Sequence, residues 1–220
     1  MKRWSESNPK AALMEQKRSA IVAAARRAFL NAGYSLTSMD GIAELANVSV
    51  KTVYRHFENK DELFSAVMQA VCHDNGIPSG EQSIASLVVR YPWIEKASVQ
   101  GLMAAGREYL DHVLSEEQLS LYRVVTQDAN RFPQLGRRYQ NEVVNSRTKM
   151  IAKYIEHYAQ TNQRKLRNPR NAGNVFEALL RAGLFEEKLH GVRALDETDI
   201  VAHARTVANM MRKLIESEIL

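Results

Sequence analysis

A single cysteine, Cys72, stands in 220 residues. No disulfide can form within the chain, and a lone thiol suits a reducing cytosol. Cys72 is expected as a small buried hydrophobe on a helix. No apolar run approaches the roughly 20 residues a membrane-crossing helix needs. The opening MKRWSESNPKAALMEQ lacks the continuous apolar segment of a secretory signal. The expectation is a cytoplasmic protein with no membrane partner. His-Glu-x-x-His, cysteine clusters, Gly-rich phosphate loops and Gly-x-Ser-x-Gly are all missing. One Glu-x-x-His pair exists, Glu187 and His190, whereas a di-iron bundle requires two. A helical-bundle metal enzyme is therefore the weakest alternative, and no catalytic residue, metal ligand or cofactor is expected. Strand-like alternation and fixed-period repeats are absent too, so every strong signal is helical.

What is present concentrates between Thr37 and Leu63, TSMDGIAELANVSVKTVYRHFENKDEL. Ser38 can cap a helix whose apolar face is Met39, Ile42, Ala43 and Ala46. Asn47 follows, a residue that tolerates the left-handed backbone of a helix end. Ser49 caps a second helix, which turns Val53 and Phe57 inward. Outward it leaves Val50, Lys51, Thr52, Tyr54, Arg55 and His56, with no carboxylate among them. Such a surface suits a groove lined by phosphates and base edges. Helix, short turn and basic second helix form a helix-turn-helix. Charge agrees: residues 1 to 56 hold nine Lys/Arg against four acids, a net of +5, equal to the formal charge of the whole chain.

The run VSVKTVYRHFENKDEL closely resembles the DNA-binding signature of TetR-family transcriptional regulators. The residues carrying the likeness are Val48-Ser49, Thr52-Val53-Tyr54, Phe57 and Asn59-Lys60, with AIVAAARRAFLNAGY and IAELA upstream. Asn47 departs from the family's usual Gly, and Lys51 from a small residue. LYRVVTQDANRFPQLGRRY also looks, more loosely, like the effector domain of the AcrR-like branch. The resemblance implies an all-α protein, a homodimer on double-stranded operator DNA, released by a small-molecule effector. Its implied DNA contacts are Ser38, Ser49, Val50, Lys51, Thr52, Tyr54, Arg55, His56 and Lys60. Val50, Lys51 and Arg55 are the base-edge candidates. Thr52, Tyr54, His56 and Lys60, the last in the first turn of the next helix, are the phosphate candidates.

Three segments are expected: a flexible basic arm over 1–14, a DNA-binding domain over 15–60, and a helical effector and dimerisation domain over 61–220. A first helix runs from about Glu15 to Asn31, ended by Gly33. Asn59 and Glu62 form a capping box for the fourth helix. The Gly, Pro and Ser of residues 75 to 83 interrupt the pattern. Later helices are expected from Trp93 or Ala97 to Leu114, and from Ser115 to about Asn130. Others run from Pro133 past Tyr158, from Asn168 to His190, and from Asp196 to about Ser217.

Large side chains of the middle helices are ligand-pocket candidates: Trp93, Met103, Tyr109, Tyr122, Phe132, Tyr139, Tyr158 and Phe176. Phe176, Leu180, Gly183, Leu184, Val207, Met211 and Leu214, on the last two helical patterns, are dimer-interface candidates. Either set serves equally well as plain core. Residues 131–170 hold ten Lys/Arg against Glu142 and Glu156, a solvated face or an anion site. An architectural DNA binder without ligand control is the main alternative, and salt dependence separates it from a sequence-specific regulator.

Overall fold

The computed structural model describes residues 9–74 and 91–220. The expected arm up to residue 8, the Cys72 side chain and the interruption at 75–83 lie outside the described residues. The chain divides into two compact units, Met1–Asp74 with Ser120–Glu142, and Asn75–Leu119 with Val143–Leu220.

In the first unit α1 spans Pro9–Leu36, starting earlier than Glu15. Gly33 interrupts it at φ +85°, where a side chain would be strained. Next come α2 (Met39–Leu45), α3 (Val50–His56) and α4 (Lys60–Asp74). The core is Ile21, Ala25 and Phe29 of α1, Ile42 of α2, Val53 and Phe57 at α3, and Leu63, Phe64 and Met68 of α4, all essentially inaccessible. The Phe64 ring meets Phe29 and Tyr34 edge-on, with centroids 5.0 and 5.3 Å away. Those contacts tie α4 to α1, which is why the observed division lies beyond α4 instead of at residue 60.

The end of α6 (Glu116–Asp128) and α7 (Pro133–Arg138) complete this unit. Phe132 packs edge-on against Tyr34 at 5.0 Å. The Asp128 carboxylate accepts from Ser35 twice, from the backbone N–H at 3.0 Å and the hydroxyl at 2.6 Å. Burial opposes ionisation of Asp128, yet these bonds and Lys60 hold its pKa below the usual carboxylate value. Tyr34 donates its phenol to Asp61, which also accepts from the Gln134 amide at 3.2 Å. On α4, Ser65 donates to Glu142 at 2.9 Å. A cluster of polar side chains thus joins the α1 end, the α4 start and the α6–α7 bend.

In the second unit a 3-10 turn, Pro92–Glu95, precedes α5 (Val99–Val113). Trp93 sits in that turn, and Ser98 caps α5 by accepting the Gly101 N–H at 3.2 Å. After the start of α6 the unit resumes with α8 (Asn145–Thr161), α9 (Pro169–Arg181), α10 (Leu184–Leu189) and α11 (Glu197–Glu216). Between α7 and α8, Tyr139–Val144 winds as π-helix, a detail no periodicity announced. Asn168 caps α9, and Asp196 forms a reciprocal box with Asp199 on α11. The helix expected to run to His190 breaks at Gly183, whose φ of +82° stops α9 and turns the chain into α10. α5 packs on α11, and α9 on α8.

Close approach at the α5 start depends on Gly101. A Cβ there would lie 1.9 Å from the Lys96 carbonyl oxygen, which itself accepts the Tyr154 hydroxyl at 3.1 Å. Gly101→Ala is expected to destabilise the fold by about 1–3 kcal/mol through overpacking. Urea unfolding checks this: the midpoint should fall with the slope preserved, and an unmoved midpoint would show that the turn relaxes freely.

Candidate nucleic-acid interface and ligand cavity

α2 and α3 are held as a rigid pair by local chemistry. Ser38 accepts the Gly41 N–H at 3.1 Å. The α2 end closes with Val48 N–H donating to Ala43 at 3.0 Å, and Asn47 adopts φ +51°, the conformation expected of it. Ser49 accepts the Thr52 N–H at 3.2 Å, and their hydroxyls share a 2.8 Å hydrogen bond. Val53 and Phe57 anchor the rear of α3, with the Arg18 guanidinium 5.1 Å above the Phe57 ring.

The front of α3 presents Lys51, Tyr54 and Arg55 exposed, with Val50 and Thr52 half-buried beside them. Tyr54 is 52% exposed, a value that marks it as surface and not core. Ser38 and Ser49 flank this face, also exposed. Two of the expected contacts stand differently. His56 is half-buried with Nε2 enclosed; burial first, then Arg55 and Arg18, lower its pKa, so it adds no cation to the face. Lys60 turns inward. Its ammonium donates to the carbonyls of Tyr34 and Thr37, each at 2.9 Å, and lies 4.2 Å from the Tyr34 ring centre. The expected phosphate contact is corrected on that ground, because the charge is engaged with orphan carbonyls at the end of α1. The capping box of α4 is also altered: Asn59 accepts Glu62 N–H, while Glu62 reaches back to Glu58.

In the second unit, Tyr91, Trp93, Ala105, Glu108, Tyr109, His112, Arg147, Met150 and Ile151 surround a cavity of about 30 Å³. Of the eight pocket candidates, Trp93 and Tyr109 meet here. Met103 is not part of this lining. Tyr122, Phe132 and Tyr139 belong to the first unit, the two tyrosines facing each other edge-on at 6.4 Å. Tyr158 and Phe176 are buried as core of the second unit.

Sequence reasoning missed the polar groups of the cavity region. Trp93 donates its indole N–H to Glu108 at 2.6 Å. Arg147 lies 3.8 Å from Glu177 and 5.0 Å from the Tyr109 ring centre. Glu177 accepts the Thr148 hydroxyl at 3.1 Å, and burial outweighs Arg147 in raising its pKa. His112 is 8% exposed, and neither ring nitrogen has a hydrogen-bond partner. Burial, then Arg147, push its pKa down to about 3, so the ring is neutral near pH 7. A signal existed: Leu102, Ala105, Tyr109 and His112 share one helical face, as do Arg147, Ile151 and Tyr154.

The dimer candidates also stand differently. Phe176, Leu180, Leu184, Val207 and Met211 are buried inside their own unit, Leu214 is half-buried, and Gly183 is the helix break. The reason is packing against α5, where Gly106 admits the Leu180, Phe176 and Ala204 side chains. Outward, α9 and α11 leave Ala178, Ala202, Thr206 and Met210 among polar neighbours such as Asn174, Arg205 and Asn209, with Leu179 half-buried and Ala182 exposed just past α9. Glu187 lies 3.7 Å from Arg193, and His190 caps the end of α10. Among the described residues no helix is long and apolar enough to cross a membrane.

Lys60→Met keeps most of the stem and removes the charge that satisfies two carbonyls. A loss of about 1–3 kcal/mol is expected for leaving such groups unpaired. Thermal unfolding reads it, and an unchanged midpoint would return Lys60 to the surface cations.

Comparison with known proteins places the two regions in one lineage. Residues 21–67 match the model of bacterial regulatory proteins of the TetR family. Residues 100–213 match the C-terminal domain model of AefR-like transcriptional repressors. The transcriptional regulator TtgR of Pseudomonas putida is 40% identical over 63 residues, 28% of this chain and 30% of that protein. The regulator YhgD of Bacillus subtilis is 43% identical over 51 residues, 23% of this chain and 27% of that protein. Matches to these curated relatives thus span under a third of their length. Among solved structures, the Flavonoid-responsive Regulator FrrA is 25% identical, covering 90% of this chain and 96% of that one with a TM-score of 0.73. A TetR family regulator of Pseudomonas syringae is 28% identical over 90% and 96%, with a TM-score of 0.61. With the C-terminal model alone spanning more than half of its residues, the chain belongs to the TetR family of transcriptional regulators.

Proposed function

We propose that this chain is a homodimeric, sequence-specific DNA-binding repressor of the bacterial cytoplasm, released from its operator by a small-molecule effector. The observation that carries the reading is α3: a carboxylate-free outer face on a helix whose rear is pinned by Val53 and Phe57. Arg55 and Lys51 suit guanine edges and Val50 a thymine methyl, while Ser38, Ser49, Thr52 and Tyr54 suit phosphates. One α3 reads only a few base pairs. A twofold dimer through the outward faces of α9 and α11 supplies a second half-site about 34–36 Å away. The cavity beside Trp93 and His112 is the proposed effector site, and the responsiveness named for FrrA favours an aromatic effector.

The test is fluorescence anisotropy on the DNA upstream of the protein's own gene, with a shuffled duplex as control across a salt series. Specific binding at two chains per duplex supports the reading. Equal binding to both duplexes that vanishes with salt favours the architectural alternative. Arg55→Ala should weaken specific binding by about 1–3 kcal/mol and spare the shuffled duplex; equal losses on both would reassign it to phosphate. The sign of regulation is read by a promoter fusion, since one relative, FasR of Mycolicibacterium smegmatis, is named an activator. Reporter output rising on deletion of the gene supports repression. Met210→Lys on the outer face of α11 should lower the sedimentation-determined mass towards one chain; a persistent dimer would locate the interface elsewhere.

A further inference from the structure

Resting on the effector reading above, we propose that the cavity takes a neutral, hydroxyl-bearing aromatic molecule. Its hydroxyl hydrogen-bonds to His112, and its ring packs against Trp93 and Tyr109. Anionic carboxylates and ammonium cations are excluded as the main class.

His112 carries the argument. It lines the cavity, is more than nine-tenths buried, and has both ring nitrogens without a partner. Buried polar groups are nearly always hydrogen-bonded, and an exception at a cavity wall marks where a ligand would bond. The neutral imidazole offers one N–H donor and one lone pair. A hydroxyl serves either nitrogen, because it both donates and accepts. A carboxylate can only accept and an ammonium can only donate, so each would serve just one tautomeric face.

The charges nearby point the same way. Arg147 is a cation of the cavity wall, with Glu108 an acid of the same wall. Glu108 is held by the Trp93 indole. The wall thus carries one acid and one guanidinium, and an added carboxylate would bring a second negative charge beside Glu108. An ammonium would lie beside Arg147, whose field already disfavours a proton on His112. Only an uncharged polar group avoids both costs. The walls are aromatic: Tyr91 and Trp93 have ring centres 5.5 Å apart, and Trp93 meets Tyr154 edge-on at 4.9 Å. As it stands the cavity holds about one water, so ligand entry must widen it. Met150, unbranched and half-buried, is the wall side chain suited to give way.

The experiment uses the full-length protein and four probes of one size: 1-naphthol, 1-methylnaphthalene, 1-naphthoate and 1-naphthylmethylammonium. Isothermal titration calorimetry measures each against wild type, His112→Phe, His112→Gln and Met150→Ala. Thermal unfolding verifies that every variant is folded. The expected result is that 1-naphthol binds at least about tenfold tighter than the other three, one buried hydrogen bond's worth. His112→Phe should erase that preference while 1-methylnaphthalene binds as before. His112→Gln, with a donor and an acceptor, should restore part of it, and Met150→Ala should tighten all aromatic probes. Stronger binding of naphthoate or the ammonium, or a naphthol preference that survives His112→Phe, overturns the proposed ligand class and leaves the effector cavity standing. Binding of none of the probes to wild type or to Met150→Ala overturns both.

Discussion

The carbonyls left open at the end of α1 set the terms for the DNA-binding unit. A helix end has backbone acceptors with no partner in the helix, and they must be met if the end is covered by other elements. Here the Thr37 hydroxyl meets Gly33, and Lys60 from α4 meets Tyr34 and Thr37. Asp128 from α6 takes the Ser35 N–H and hydroxyl. Three elements converge on one joint, and α2 begins two residues later, at Met39. The position of the helix-turn-helix within this unit is therefore a consequence of how the α1 end is satisfied. Aromatic packing of Tyr34 on Phe64 and Phe132 closes the same joint on its apolar side.

Much of the recognition end was legible because its signals are local. Caps at Ser38, Ser49, Asn168 and Asp196, the left-handed Asn47, and proline at the start of α7 and α9 each depend on neighbours within a few residues. The outward set on α3 followed from helical spacing alone. Lys60 was misplaced for the opposite reason. Its sequence context, the first turn of a helix beside a DNA-reading element, says nothing of the carbonyls that lie 23 and 26 residues away. A lysine stem is long enough to serve either a phosphate or a helix end, and only the tertiary fold decides.

The same limit explains the interface residues. An apolar stripe on α9 or α11 reports that a face is covered, not by what. α5 covers it, and the close seat at Gly106 consumes Phe176, Leu180 and Ala204. Periodicity could have raised the buried polar groups, since His112, Arg147 and Glu177 each fall in register with core residues of their own helices. A polar side chain in an inward register deserves more weight than another aromatic. Large apolar residues are common in any core, whereas a buried histidine or arginine must be accounted for one hydrogen bond at a time.

Magnitudes show what the polar side of the joint contributes. A neutral hydrogen bond contributes about 0.5–1.5 kcal/mol, and one to a charged group about 1.5–3 kcal/mol. The two bonds from Ser35 to the Asp128 carboxylate fall in the stronger class, and both lie within the first unit. Such bonds must match in direction as well as distance, so in a unit otherwise held by phenylalanines and aliphatics they fix the setting of α1, α4 and α6 within the unit more narrowly than apolar packing alone.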